Sequence, residues 1–217
     1  MLAGLVEAVF PVCCAGCGRR GEAVCATCAY TLTPAPTAAA PAFVDDWFAL
    51  CSYDGVAREL VARIKYRNAR AVVPWFADAL AANAQRRWRA ATIDCVTWAP
   101  TTTARRHARG FDHAELLARR TARTLRVPCR ALLARVTNEP QTGRVYAVRR
   151  NGPTFRTVAG VPRTVLLLDD VTTTGATLRA AARALRARGA TRVLAATIAR
   201  TPPPGRRSVP PGYSAPR

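Results

Sequence analysis

The chain has 217 residues, half of them hydrophobic, which allows one medium-sized core with a small appendage and excludes a chain too short or too polar to fold. Lys and Arg total 33 against 13 Asp and Glu, a formal net charge of +20 that points to an anionic partner such as a phosphate, a nucleotide or nucleic acid. No apolar run approaches the ~18 residues a membrane span needs, and the N-terminus has neither a basic leader nor a small-residue cleavage site, so the expected compartment is the cytoplasm.

In chain order, Leu2, Leu5, Val6, Val9 and Phe10 share one helical face, the pattern of a short packing helix. Eight cysteines follow, five of them within residues 13–28; Cys51, Cys95 and Cys129 are scattered as ordinary small core residues are. In CCAGCGRRGEAVCATC, Cys14-x-x-Cys17 and Cys25-x-x-Cys28 have the spacing with which two turns clamp a tetrahedral zinc ion. Four thiolates leave no open position, so the expected role of Zn2+ is structural. Cys13 competes as a fifth thiol, and a disulfide framework or an iron–sulfur cluster is the rival reading. TPAPTAAAPA, residues 33–42, has no charge and no periodicity and reads as a linker.

Beyond it, RELVARIKY and VVPWFADALAANAQRRW are predicted helices, IDCVTWA a strand, DHAELLARRTARTLR a helix, RALLARV and RTVLLLDD strands, ATLRAAARALRARG a helix and ATRVLAATIAR a final strand. This alternation predicts an α/β fold with a mainly parallel sheet flanked by helices, binding its ligands at the carboxyl ends of the strands. The expected organisation is a helix and cysteine module over 1–34, a linker over 35–46, the α/β domain over 47–200 and a disordered tail over 201–217. Lys65 is the sole lysine; a compact ammonium suits a phosphate or ribose contact, with chance retention as the alternative.

Two loops follow predicted strands. The first carries Arg105, Arg106, His107 and Arg109 before a helix, a composition suited to a diphosphate or to a plain solvated face. The segment NEPQTGRVYAVRRNGPTF, with Gln141 and Arg149, is long and aperiodic, as a closing lid or a disordered insertion would be.

In VLLLDDVTTTGATL a buried strand ends in Asp169 and Asp170. After Glu115 the only acids are Glu139 and these two. Adjacent carboxylates repel, so at a strand end they call for ribose hydroxyls, a divalent cation or both. Thr172, Thr173, Thr174, Gly175, Ala176 and Thr177 then open a helix whose N–H groups and hydroxyls suit a phosphate. A capped helix after a turn is the plainer alternative. No G-x-x-x-x-G-K-[ST] is present, which disfavours a Walker-type ATPase.

The strand, Asp-Asp and Thr/Gly turn resemble the phosphoribosyl diphosphate loop of type I phosphoribosyltransferases. That resemblance implies a type I phosphoribosyltransferase-like fold, with Asp169 and Asp170 on the ribose and residues 172–177 on its 5′-phosphate. The double C-x-x-C, SYDG…IKY, RGFDHAELLA, EPQTG…RRN and LLLDDVTTTGATL, in that order, resemble the ComF family, phosphoribosyltransferase-like proteins associated with natural competence. This chain departs from the family pattern at Trp98, at Asp112-His113 and at Arg144-Val145.

The resemblance implies an enzyme in which Mg2+ enters with phosphoribosyl diphosphate and Asp169 and Asp170 position the ribose. Arg105, Arg106 and Arg109 would then stabilise the leaving diphosphate, and the loop from Gln141 through Arg149 would close over it. Two rivals follow. One is a nucleotide sensor without chemistry; the other is a DNA-uptake accessory that binds single-stranded DNA or a competence helicase.

Overall fold

The computed structural model describes residues 12–67, 69–89, 93–136 and 152–202. The predicted N-terminal helix, the segment holding Gln141 and Arg149, and the tail from residue 203 lie outside the described residues.

Four strands form one sheet in the order β1-β6-β5-β2, with β1 at Asp46–Ser52, β2 at Cys95–Trp98, β5 at Thr164–Thr172 and β6 at Arg192–Arg200. Every pair in it is parallel. Val165, Leu166, Leu167 and Leu168 are fully buried, as a central strand covered on both faces requires. Alternate residues of β5 face opposite ways. Leu166 and Leu168 pack with helices α2 (Gly55–Tyr66), α3 (Val72–Trp88) and α5 (His113–Leu125). Val165 and Leu167 pack with α6 (Ala176–Arg186) and with Leu133 and Phe155. The predicted stripe on α6 is the buried one: Leu178, Ala181, Ala182 and Leu185 are all fully enclosed.

The sequence reading and the fold differ at several elements. The predicted strand at 130–136 forms only over β3, Leu133–Val136, and pairs antiparallel with β4, Thr154–Thr157, as a separate ribbon. It stays out of the main sheet, whose β2 edge is met by the residues just before it: the Val96 N–H donates to the Pro128 carbonyl at 2.9 Å and the Arg130 N–H to the Val96 carbonyl at 3.0 Å. Strand β1 was not predicted, because DWFALCS mixes half-buried positions without alternation. The basic loop contains a short helix, α4 at Thr103–Arg109, capped by Thr102 and ended by Gly110 at φ 76°.

A five-residue helix α1, Ala26–Tyr30, follows Cys25. The stretch over 33–42 lies against the sheet: Trp47 Nε1 donates to the carbonyls of Ala38 and Ala39 at 3.2 Å. Among the described residues no helix is long and apolar enough to cross a membrane.

Candidate functional site

Because β2 and β5 run parallel, their carboxyl ends open at the same edge of the sheet. A cleft of about 330 Å³ lies there, lined among others by Lys65, Arg105, Arg109, Arg135, Asp169, Asp170 and Thr177. Of the twelve described residues assigned to the ligand from the sequence, Lys65, Arg105, Arg109, Asp169, Asp170 and Thr177 line this cleft, and Arg106, Thr172, Thr173, Thr174, Gly175 and Ala176 do not.

Strand β5 continues through Asp169 and Asp170 to Thr172, so the two acids point to opposite faces of the sheet rather than side by side. Asp170 follows Leu166 and Leu168 toward α2, where Lys65 Nζ lies 2.9 Å from its Oδ2. Asp169 follows Val165 and Leu167 toward the ribbon side. Its Oδ1 accepts from the Asp170 N–H at 2.8 Å, and Asp170 Oδ1 accepts from the Val171 N–H at 2.6 Å. Burial first, then the charge of Asp170, pushes the Asp169 carboxyl up to about 8.

After β5 the chain turns sharply. Thr172 is the buried last residue of the strand, and Thr173 and Thr174 are exposed. Gly175, at φ 75°, precedes α6, and a Cβ there would stand 2.9 Å from Pro41 Cγ. Thr174 Oγ1 accepts from the Ala176 N–H at 3.4 Å, and Thr177 reaches the cleft.

The other wall follows β2. Asp112 is buried and N-caps α5 by accepting from the Ala114 N–H at 3.0 Å, while its second oxygen accepts from the Thr101 N–H at 2.8 Å. One carboxylate thus ties both ends of the loop that holds α4. Burial pushes its pKa upward. Arg105 and Arg109, four apart on α4, face the cleft, and Arg109 lies 5.1 Å from the Tyr66 ring centre. Arg106 turns away, 62% exposed and 3.9 Å from Glu115. His113 is buried, with Nε2 2.9 Å from the Ile64 carbonyl, and burial lowers its pKa.

Among the cleft residues that the sequence reading did not assign to the ligand are Tyr66, Asp112, His113 and Arg135. For Arg135 a signal existed, since it stands two positions after buried Leu133 on a strand and so shares its side. Asp112 and His113 were visible only as departures from a family pattern.

At the N-terminal end the sulfurs of Cys14, Cys17, Cys25 and Cys28 all lie within 4.8 Å of one another, and Cys17 and Cys25 are 3.6 Å apart. Tetrahedral zinc with Zn–S bonds of about 2.3 Å spaces its sulfurs about 3.8 Å apart, so this donor set fits the ion. Burial alone would raise the Cys14 thiol, but backbone N–H groups, among them those of Gly16 and Cys25 at 3.4 and 3.3 Å from its Sγ, bring it down to about 6. A Cβ on Gly16 would fall 2.7 Å from Cys28 Sγ, so the cradle depends on glycine there. Cys13 is exposed and pairs by backbone with Arg20.

Residues 113–209 match the phosphoribosyl transferase domain, and over that span the chain is phosphoribosyltransferase-like. The span includes Asp169, Asp170 and the turn into α6; Lys65, Arg105, Arg109 and the four cysteines precede it. No curated protein matches the chain. Among solved structures, an allosteric regulatory enzyme of purine biosynthesis is 22% identical, with a TM-score of 0.42, over 60% of this chain and 26% of its own. The glutamine phosphoribosylpyrophosphate amidotransferase from B. subtilis, complexed with ADP and GMP, is 20% identical, with a TM-score of 0.40, over 60% and 26%. A hypoxanthine-guanine phosphoribosyltransferase from Bacillus anthracis is 13% identical, with a TM-score of 0.42, over 63% and 72%. The chain thus spans only 26% of the length of the first two.

Proposed function

We propose that the protein binds phosphoribosyl diphosphate and transfers its phosphoribosyl group to an acceptor with displacement of diphosphate. The observation that carries this reading is the meeting, in one cleft, of Asp169 and Asp170 with Thr177 of the phosphate turn and with Arg105 and Arg109. The pentose hydroxyls lie against Asp169 and Asp170, and the 5′-phosphate against the turn over residues 172–177. In the free cleft burial and the neighbouring Asp170 keep the Asp169 carboxyl protonated up to about 8, while Lys65 offsets the charge of Asp170.

As the bond from the anomeric carbon to the diphosphate oxygen breaks, the acceptor's lone pair forms the new bond. The electron pair leaves with the diphosphate, and Arg105 and Arg109 stabilise that charge. Their guanidinium groups remain charged throughout and move no proton. The two aspartates are oxygen donors of the kind Mg2+ takes, and the ion, when bound, neutralises diphosphate charge. Asp169 and Asp170 would hold it together with the ligand. Zn2+ at the four cysteines would be structural, since that donor set leaves no coordination position for chemistry.

A binding protein without turnover is the second reading, favoured by the Lys65–Asp170 ion pair, which a pentose must displace. The motif order supports membership of the ComF family, and with it a role in competence. The net charge of +20 is compatible with a single-stranded DNA or helicase partner.

Calorimetric titration of phosphoribosyl diphosphate, with and without magnesium, on the parent and on Asp170→Asn tests the sugar site. Saturable binding that strengthens with magnesium and weakens about tenfold in the variant, about 1.4 kcal/mol, is expected. Binding indifferent to both overturns the assignment. Diphosphate release over time with a nucleobase then separates the enzyme from the sensor.

A further inference from the structure

We propose that the turn over residues 41–45 braces α6 at both ends, and that Pro41 is a positioning residue that presets the phosphate turn. The proposal rests on the phosphoribosyl diphosphate reading above for the identity of the ligand, but its own evidence is how residues 41–45 grip the helix.

The phosphate turn is held only weakly by its own side chains. Thr173 and Thr174 are exposed, and the bond from the Ala176 N–H to Thr174 Oγ1 is long at 3.4 Å. At its start the Thr172 carbonyl accepts from the Thr201 N–H at 2.9 Å, which ties it to the end of β6. At its finish Gly175 must stay left-handed, at φ 75°, for the chain to enter α6, and glycine is the residue with the most conformations to lose. Pro41 narrows that choice. A Cβ on Gly175 would stand 2.9 Å from Pro41 Cγ and 3.3 Å from its Cβ, so the ring lies directly behind the glycine. A proline ring has almost no rotamer freedom to lose, which suits it to serve as a backstop.

What fixes Pro41 is α6 itself. The Pro41 carbonyl accepts from the Val44 N–H at 3.0 Å, closing a turn whose third residue, Phe43, has φ 71°. Such a place favours glycine, and a bulky side chain keeps it only where the surroundings hold the backbone. Arg186, the last residue of α6, supplies the hold: its Nε donates to the Phe43 carbonyl at 3.4 Å and its Nη2 pairs with Asp45. Asp45 Oδ2 also accepts from the Val193 N–H at 2.6 Å, which anchors the turn to β6. Between these contacts Val44 is buried in one apolar cluster with Leu178, Ala181, Ala182 and Leu185. One short segment therefore meets the glycine before the helix and the arginine that ends it. With both ends fixed, the first N–H groups of α6 keep their direction, and a phosphate that binds them need not order the turn.

The test combines calorimetric titration of ribose 5-phosphate with amide hydrogen exchange, on the full chain as parent, Pro41→Ala and Pro41→Val. The reporting amide is Arg179, whose N–H donates to the Gly175 carbonyl at 2.8 Å in the first turn of α6. In Pro41→Ala its exchange should quicken about tenfold while the amides of β5 and β6 keep their rates. Ribose 5-phosphate should bind about fivefold more weakly, as to a turn that holds its binding shape about a fifth of the time. Pro41→Val, which restores branched bulk behind Gly175, should recover most of both effects. Unchanged Arg179 exchange in Pro41→Ala, or exchange that quickens equally in β5 and β6, overturns the brace. Local quickening with ribose 5-phosphate affinity kept within about twofold overturns the positioning role of Pro41. Local quickening in a protein whose parent form binds no ribose 5-phosphate upholds the brace and sinks the phosphate reading of the turn instead.

Discussion

At the scale of single residues, the two aspartates of β5 show how one extra pair of strand residues changes the chemistry. Read from the sequence, Asp169 and Asp170 are a repelling pair in the last two places of a strand. In the structure the strand runs on to Thr172, and the period-two alternation sends Asp170 to Lys65 and Asp169 to a site where burial favours its neutral form. The pair itself was legible, because acids are so scarce in this half of the chain; its division was not, because it depends on where pairing with β6 ends. The shift has a sign that stability measurements will read. In the unfolded chain Asp169 loses its proton near pH 4, whereas in the folded protein it keeps it to about 8. Over that interval the folded state binds more protons, so this group makes stability fall as pH rises from about 4 to about 8. Asp46 acts in the opposite sense at lower pH: the Arg87 hydrogen bond holds it at about 2, so its contribution is lost as pH falls below about 4. Melting temperatures of the parent and Asp169→Asn should therefore converge near pH 5 and separate toward pH 8, where the variant is the more stable. Curves that stay parallel from pH 5 to 8 would mean that Asp169 ionises normally.

At the scale of elements, the arginine-rich loop resolves by helical spacing. Arg105 and Arg109 are four apart and share the cleft, and Arg106 lies off that face beside Glu115. The sequence grouped all three because it read the segment as a loop, and a seven-residue helix is too short to show periodicity. What places α4 is the Asp112 carboxylate, joined to the Thr101 and Ala114 N–H groups, and nothing in the residues themselves distinguishes it from an ordinary cap. Asp112→Ala leaves the half-buried Thr101 N–H and the buried Ala114 N–H without their acceptor and should cost about 1–3 kcal/mol, read as a lower denaturation midpoint at unchanged slope. It should also weaken diphosphate binding, because Arg105 and Arg109 lose their anchored loop. Full stability in the variant would show that the loop is held by other contacts. The ribbon is the harder element to foresee: β4 meets β3 across a long intervening segment, and neither strand has more than four residues.

At the scale of the whole molecule, the cysteine loops and the sheet share a core that the sequence divides. Cys14, Ala15, Val24, Cys25 and Cys28 belong to the same apolar cluster as Leu60, Val61, Leu194 and Ile198. The uncharged stretch over 33–42 is bound along its length, with Arg200 Nη1 donating to the Pro36 and Thr37 carbonyls at 2.9 Å and Pro41 lying against Gly175. These contacts join residues 163 and 164 positions apart, beyond the reach of any local pattern. Ordering the four sulfurs around zinc should therefore stabilise more than the loops that carry them. Removing the metal with a strong chelator is expected to withdraw at least ~3 kcal/mol and to lower the melting temperature of the whole chain by roughly 10 °C in a single transition. Gly16→Ala, whose Cβ would intrude to 2.7 Å from Cys28 Sγ, should give a smaller drop that added zinc partly reverses. Calorimetry with metal analysis distinguishes the alternatives. Two transitions, the later one unmoved by chelation, would mean that the apolar contacts between cysteine loops and sheet are too weak to make them fold as one, whereas a single shifted transition follows only if the core is continuous.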